Sequence, residues 1–154
     1  MSQFSTALHP VTLLGRPLYF RPAMLVTAEL DETSLETLRS MADVRYRPYR
    51  QTLQVLTGRD LVEAAADCHV IVTEVDLVDL EVLTQLPKLK LVLSCRGNPV
   101  NVDVAACTAL GIPVLHTPGR NADSVAELTV AFMLMLARKL PEASRFLHAP
   151  GGEA

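Results

Sequence analysis

A chain of 154 residues, 49% of them hydrophobic and 20% charged, has the length and composition of one soluble globular domain. Such a chain should bury roughly 70% of the surface its unfolded form exposes. A net charge of −3 and a pI near 5.8 argue against a nucleic-acid partner, which would want a basic face. The three cysteines, Cys68, Cys95 and Cys107, stand in apolar segments, odd in number and without a C-x-x-C pair. That usage suits reduced thiols in a cytoplasmic protein better than disulfides or a metal site. His9-Pro10 and Gly15-Arg16-Pro17 interrupt the N-terminal region early, so no secretory signal is expected.

Residues 1–22 read as a weakly patterned N-terminal arm. Ala23 to Thr27 is an apolar run of strand size. Asp31 to Ser34 then offers capping residues, and Leu35, Leu38 and Met41 follow at helical spacing. Val44 to Tyr46 can form a second strand, while Arg47 to Leu56 has no clear pattern. Thr57 can cap an alanine-rich helix from Gly58 to Ala66. Val70-Ile71-Val72-Thr73 is β-branched throughout and reads as a buried strand. A short helix from Asp79 to Leu86 is stopped by Pro87.

Leu91 to Cys95 is the fourth expected strand. Asn101 or Asp103 can cap a helix reaching Leu110, with Gly111 placed where a left-handed residue is wanted. Ile112 to Leu115 is the fifth strand, with its proline near the start. A helix from about Ala122 to Leu140 begins at Asn121 or Asp123 and is closed by Arg138-Lys139 and Pro141. Strands alternating with helices imply right-handed crossovers and a mostly parallel sheet. The expected fold is therefore α/β, a flavodoxin-like doubly wound parallel sheet of about five strands ending in a long helix. The apolar stretch from Leu128 to Leu136 is too short for a membrane span.

Two loops, Arg96 to Asn101 and His116 to Asn121, follow the last two strands, at the sheet end where open α/β folds bind ligands. We read them as the walls of one small-molecule site. By residue type alone, Arg96-Gly97-Asn98-Pro99 makes a surface turn. Successive amides beside an arginine also make an anion-binding nest. Asn101 and Asn121 can each be helix caps, the preferred reading for Asn101. Cys95 and Cys107 read as buried apolar fillers. His116, with no partner acid in view, reads as bonding a backbone carbonyl rather than as a catalytic base. Glu74 and Asp76 follow a strand and leave a divalent-metal site open, but a solvated loop is preferred. No catalytic residue and no metal ligand is assigned.

The run Leu-Val-Leu-Ser-Cys-Arg-Gly-Asn-Pro-Val-Asn-Val-Asp resembles the D-isomer-specific 2-hydroxyacid dehydrogenases. So does the later run Gly-Ile-Pro-Val-Leu-His-Thr-Pro-Gly-Arg-Asn-Ala-Asp-Ser-Val-Ala-Glu. The likeness is dense from Leu89 to Leu140 and faint but compatible from Ala23 to Leu86. It implies a flavodoxin-like substrate domain, present in part at 23–121, and an interdomain and dimerisation helix at 122–147. A disordered tail at 148–154 follows, and the Rossmann cofactor domain is absent from the chain. The resemblance implies that backbone amides of Arg96, Gly97 and Asn98 bind the substrate carboxylate, that Asn121 lies near the substrate, and that Val125 touches nicotinamide. Asn98 stands where close relatives often have a second glycine, and Pro99-Val100 where phosphoglycerate dehydrogenases usually have Val-Asp. Glu127 matches a family glutamate with a structural role.

The seven glycines never form G-x-G-x-x-G, so the chain carries no dinucleotide fingerprint. None of the four histidines occupies the family's catalytic position. The resemblance therefore implies half of an active site, inactive alone. The absent half would bind NAD or NADP and act with this one on a small 2-hydroxy or 2-oxo acid. The expected partner is a second copy in a homodimer, with no nucleic acid and no membrane. Two rivals share the sheet. A receiver domain needs an acceptor aspartate ending the third strand, where Thr73-Glu74 stands, and a flavodoxin needs a phosphate loop where Glu29-Leu30-Asp31-Glu32 would repel phosphate. A truncated, non-catalytic binding or dimerisation module of the same fold is the remaining alternative.

Overall fold

The computed structural model describes residues 12–13, 16–17 and 20–149. Most of the expected arm and residues 150–154 of the expected tail lie outside the described residues. β1 (Thr12–Leu13) and β2 (Arg16–Pro17) pair antiparallel in a short ribbon. The chain then alternates through β3 (Ala23–Val26), α1 (Glu32–Met41), β4 (Asp43–Tyr46), α2 (Tyr49–Thr52) and α3 (Gly58–Ala65). It continues through β5 (Val70–Thr73), α4 (Leu80–Thr84), β6 (Leu91–Ser94), α5 (Val104–Ala109) and β7 (Val114–His116), then α6 (Ala122–Ala137) and α7 (Leu140–His148). Two units emerge, Met1–His116 and Thr117–Ala154.

The first unit holds a five-stranded sheet in the order β4-β3-β5-β6-β7, with every neighbouring pair parallel. Counted among themselves these strands run 2-1-3-4-5, the flavodoxin-like order. Side chains alternate across the sheet with the two-residue period of a strand. Leu25, Ile71 and Val92 pack with Leu61 of α3, Val82 and Leu83 of α4 and Cys107 of α5. Met24, Val26, Val70 and Val72 pack on the opposite face with Ala42 and Leu38. β5 is buried at all four positions, which explains its unbroken β-branched sequence.

Helix ends follow local chemistry. The Asp31 carboxylate accepts from the Ser34 N–H at 3.0 Å and from the Ser34 hydroxyl at 2.6 Å, capping α1. Asp79 caps α4 through the Val82 N–H at 3.0 Å, and Asp103 caps α5 through the Ala106 N–H at 2.9 Å. Thr57 occupies the cap position of α3 without a side-chain bond. Gly111, just past α5, has φ of 69°, the left-handed turn that a glycine supplies without steric cost. The unpatterned stretch before α3 contains the single-turn α2, ended by Leu53 at φ 53°. Two arginines cap helix C-termini across the edge strand. Arg21 donates to the carbonyls of Arg39, Ser40 and Ala42, and Arg45 donates to the Ala64 carbonyl while pairing with Asp67 at 3.0 Å.

In the second unit α6 stops at Ala137, where Arg138-Lys139 and Pro141 predict a stop. Lys139 then turns left-handed at φ 52°, and α7 begins with its proline in the first turn. The segment 122–147 is therefore two helices rather than one, and His148 closes α7 instead of starting a tail. Neither helix has a buried residue. No helix among the described residues is long and apolar enough to cross a membrane.

Candidate functional site

Each of three adjacent strands ends in a buried hydroxyl or leads directly into one: Thr27 after β3, Thr73 ending β5 and Ser94 ending β6. The crossover from β4 to β5 passes β3, so the β3/β5 gap is the switch point of the sheet, where such folds open a crevice. Here the crevice is filled by Asp76. Its carboxylate, fully buried, accepts from the Thr27 hydroxyl, from the Thr73 hydroxyl at 2.8 Å and from the Leu56 N–H at 2.7 Å. The preference for a solvated loop at Asp76 is thus corrected. Three donors compensate the burial that an unpaired carboxylate would not tolerate.

Asn101 extends the network one strand further. Its amide nitrogen donates to the Asp76 carbonyl at 3.0 Å and its amide oxygen accepts from the Ser94 hydroxyl at 3.0 Å. The preferred reading of Asn101 as a cap is also corrected, because Asp103 caps α5 and Asn101 is 7% exposed between two loops. Among the described residues no buried side-chain nitrogen or oxygen lacks a partner.

Above this floor runs the loop from Arg96 to Val100. The Val100 N–H bonds the Asn98 carbonyl at 2.9 Å and the Val102 N–H bonds the Pro99 carbonyl at 3.0 Å, a tight turn that the fixed φ of Pro99 suits. Arg96, half-buried, donates from Nε to the Glu74 carbonyl, and its terminal nitrogens meet no acceptor among the described residues. His116 does bond a backbone carbonyl, with Nδ1 3.0 Å from the Gly97 oxygen. A carbonyl only accepts, so Nδ1 carries the proton in this contact. The Gly97 carbonyl and the Asn98 N–H share one trans peptide and point in opposite directions. Holding the carbonyl toward His116 therefore turns the Asn98 N–H away from it. The N–H groups of Gly97 and Asn98 meet no acceptor among the described residues, and both residues are exposed. Two open amides and a guanidinium on one turn can accept a small anion.

Arg96, Gly97 and Asn98 come together in this way in the first unit. Asn121 and Val125 lie in the second. Asn121 holds the cap position of α6 without a side-chain bond, and Val125, one turn on, is 52% exposed. The thiols are not poised as nucleophiles. Burial pushes Cys68 and Cys107 above the ordinary thiol range, with the Asp103 charge adding to the effect at Cys107. Cys95 is half-buried and packs against the core cluster of Met24, Val26, Val70 and Val72. Among the described residues no cluster of three or more His, Cys, Asp or Glu could hold a metal ion.

Sequence and structural comparisons bear on this arrangement. Residues 24–146 match the family described as D-isomer specific 2-hydroxyacid dehydrogenase, catalytic domain. A glyoxylate reductase of Aeropyrum pernix is 33% identical over 128 residues, covering 83% of this chain and 38% of that protein. A D-3-phosphoglycerate dehydrogenase of Mycobacterium leprae is also 33% identical over 128 residues, covering 83% of this chain and 23% of the relative. A solved structure from Polaromonas sp. JS6 66, named as an NAD-binding D-isomer specific 2-hydroxyacid dehydrogenase, aligns with a TM-score of 0.73 and 27% identity. That alignment covers 86% of this chain and 41% of the solved one. The chain thus spans well under half the length of the proteins it matches.

Proposed function

We propose a function from a firm premise: the chain belongs to the D-isomer specific 2-hydroxyacid dehydrogenase family. In this proposal it is the substrate-binding part of an oxidoreductase that moves hydride between nicotinamide and a small 2-hydroxy or 2-oxo acid. The observation that carries the proposal is the Arg96–Asn98 turn, which leaves two amides open beside a half-buried guanidinium. A carboxylate fits that set, since its two oxygens accept what the turn donates. The relatives are named for glyoxylate and for 3-phosphoglycerate at equal identity. The turn is therefore assigned only the carboxylate that 2-oxo acids share.

The same proposal places Asn121 near the substrate and Val125 near the nicotinamide ring. It gives the dinucleotide itself, NAD or NADP, to sequence outside this chain. The left-handed glycines, Gly58, Gly111 and Gly119, stand singly at helix and turn ends and build no pyrophosphate cradle. A bound nicotinamide would supply the hydride acceptor for C2 of a 2-hydroxy acid, with the hydroxyl proton going to a base. This chain's residues hold the carboxylate and so fix where C2 sits. A cytoplasmic homodimer completes the proposal. Its supports are the reduced thiols and the exposed apolar side chains of α6, among them Phe132, Met133 and Leu136.

Direct binding of pyruvate by calorimetry tests the reading. Weak saturable binding is expected, and Arg96→Ala should weaken it by about 1.5–3 kcal/mol as a charge-assisted bond is lost. With reduced nicotinamide and a panel of 2-oxo acids the chain alone should show no turnover. Reproducible turnover that co-purifies with it would overturn the half-site.

A further inference from the structure

We infer that Asn101 is a positioning residue for the anion-binding turn, acting through Ser94 and the Asp76 floor. Arg96 to Val100 leaves β6 just after Ser94 and returns at Asn101. One 3.0 Å bond, from the Ser94 hydroxyl to the Asn101 amide oxygen, joins the two stems of that excursion. The other end of the same amide donates at 3.0 Å to the Asp76 carbonyl, in the loop after β5. The backbone of Asn101 is tied as well, its carbonyl accepting from the Val78 N–H at 2.9 Å. Asp76 is in turn immobilised by donors from β5, from the segment after β3 and from the loop before α3.

Both polar ends of one buried side chain are thus spent on two different loops, and the turn between its stems inherits their rigidity. The Arg96–Glu74 and His116–Gly97 bonds then aim the turn, but they act on its first half only. The exit is held at its backbone by the Val102 N–H on the Pro99 carbonyl, and at its side chain by Asn101. Preorganisation is what this device supplies. Fixing one residue's backbone at the moment of binding costs about tenfold in affinity. A turn that had to order both Gly97 and Asn98 would therefore bind on the order of a hundredfold more weakly. This inference rests on the carboxylate reading for its ligand but not for its geometry, and the test separates the two.

In the ligand-free chain, amide exchange and heteronuclear NOE are compared for wild type, Asn101→Ala and Asn101→Asp. Asn101→Ala should lower the heteronuclear NOE at Gly97, Asn98 and Val100 and speed exchange at the bonded Val100 and Val102 amides at least about tenfold, while leaving strands β3 and β5 protected. Asn101→Asp presents an oxygen to the Asp76 carbonyl and should loosen the turn while ionised. As pH falls and that carboxyl takes a proton it can donate again, so order should return relative to wild type measured at each pH. A merely space-filling side chain would show no such recovery. Ser94→Ala, which removes only the bond between the stems, repeats the test if Asn101→Ala does not fold. Unchanged NOE at Gly97, Asn98 and Val100 together with unchanged exchange at Val100 and Val102 in the folded variants, or loss of protection spread evenly over the sheet, overturns the inference. A parallel pyruvate titration judges the carboxylate reading: a wild type that does not respond overturns that reading, while the ligand-free data still decide Asn101.

Discussion

Replacing Asp76 with alanine should destabilise the first unit more than any surface change, and the cost can be built from its partners. The carboxylate satisfies three buried donors: the hydroxyls of Thr27 and Thr73 and the Leu56 N–H at 2.7 Å. The hydroxyls can recover in part by rotation, and Thr27 already lies 3.3 Å from the Val72 carbonyl. The Leu56 N–H cannot turn, so it bears a full desolvation penalty of about 1–3 kcal/mol. Adding a partial loss at each hydroxyl gives about 2–5 kcal/mol, against a typical domain stability of about 5–15 kcal/mol. Asp76→Asn keeps the shape and one acceptor oxygen and should lose less. Urea unfolding followed by tyrosine emission reads this unit, which contains Tyr46 and Tyr49. The alanine variant should lower the midpoint by on the order of 1–2 M. A loss below about 1 kcal/mol would mean that the carboxylate is not the hub described here.

Gly111→Ala meets no atom within 4 Å, so its cost is that of φ 69° alone, about 1–2 kcal/mol by thermal or urea unfolding. Ser34 holds the Asp31 carboxyl below the usual carboxylate range through its hydroxyl and N–H, so its cap contributes above the ordinary carboxylate pKa. That contribution is lost as pH falls through the lowered value. Asp31→Ala should remove this part of the acid-side fall in urea midpoint, and an identical profile would refute the cap. Phe132, 52% exposed on α6, should support self-association, so Phe132→Glu should lower the scattering mass across a dilution series. A monomeric wild type at high concentration would count against the dimer. Cys95, half-buried, should react with a thiol reagent before Cys68 and Cys107, and equal rates would contradict their burial.

What could be read from the chain was local. The β-branched run at Val70–Thr73, the capping residues from Asp31 to Ser34 and the glycine at 111 each state their role within a few residues, and the sheet follows from the alternation of strands and helices. The Asp76 hub was invisible for the opposite reason. Its partners lie 49, 20 and 3 positions away, and an aspartate after a strand looks the same whether it faces water or three buried donors. Asn101 and Asp103 are both good caps by type, and only the fold decides which faces the helix amides. Leu53 and Lys139 adopt a left-handed backbone that side chains of their kind do not announce. The stop at Arg138-Lys139 was legible, but the second helix that follows it, Leu140–His148, was not. The Arg96–Asn98 turn was legible as an anion site through family resemblance, while its residue types alone describe a surface turn. His116 bonding the Gly97 carbonyl was the one long-range contact that a strand-end histidine without an acid partner did suggest.

The account stands most directly on where a carboxylate binds. Heteronuclear NMR of the uniformly labelled chain during a pyruvate titration locates it. The expected result is saturable shifts concentrated at the Gly97 and Asn98 amides and at the Arg96 side chain, with the amide shifts reduced in Arg96→Ala. Shifts confined to other loops, or no shifts at all in the folded wild type, would contradict the central claim.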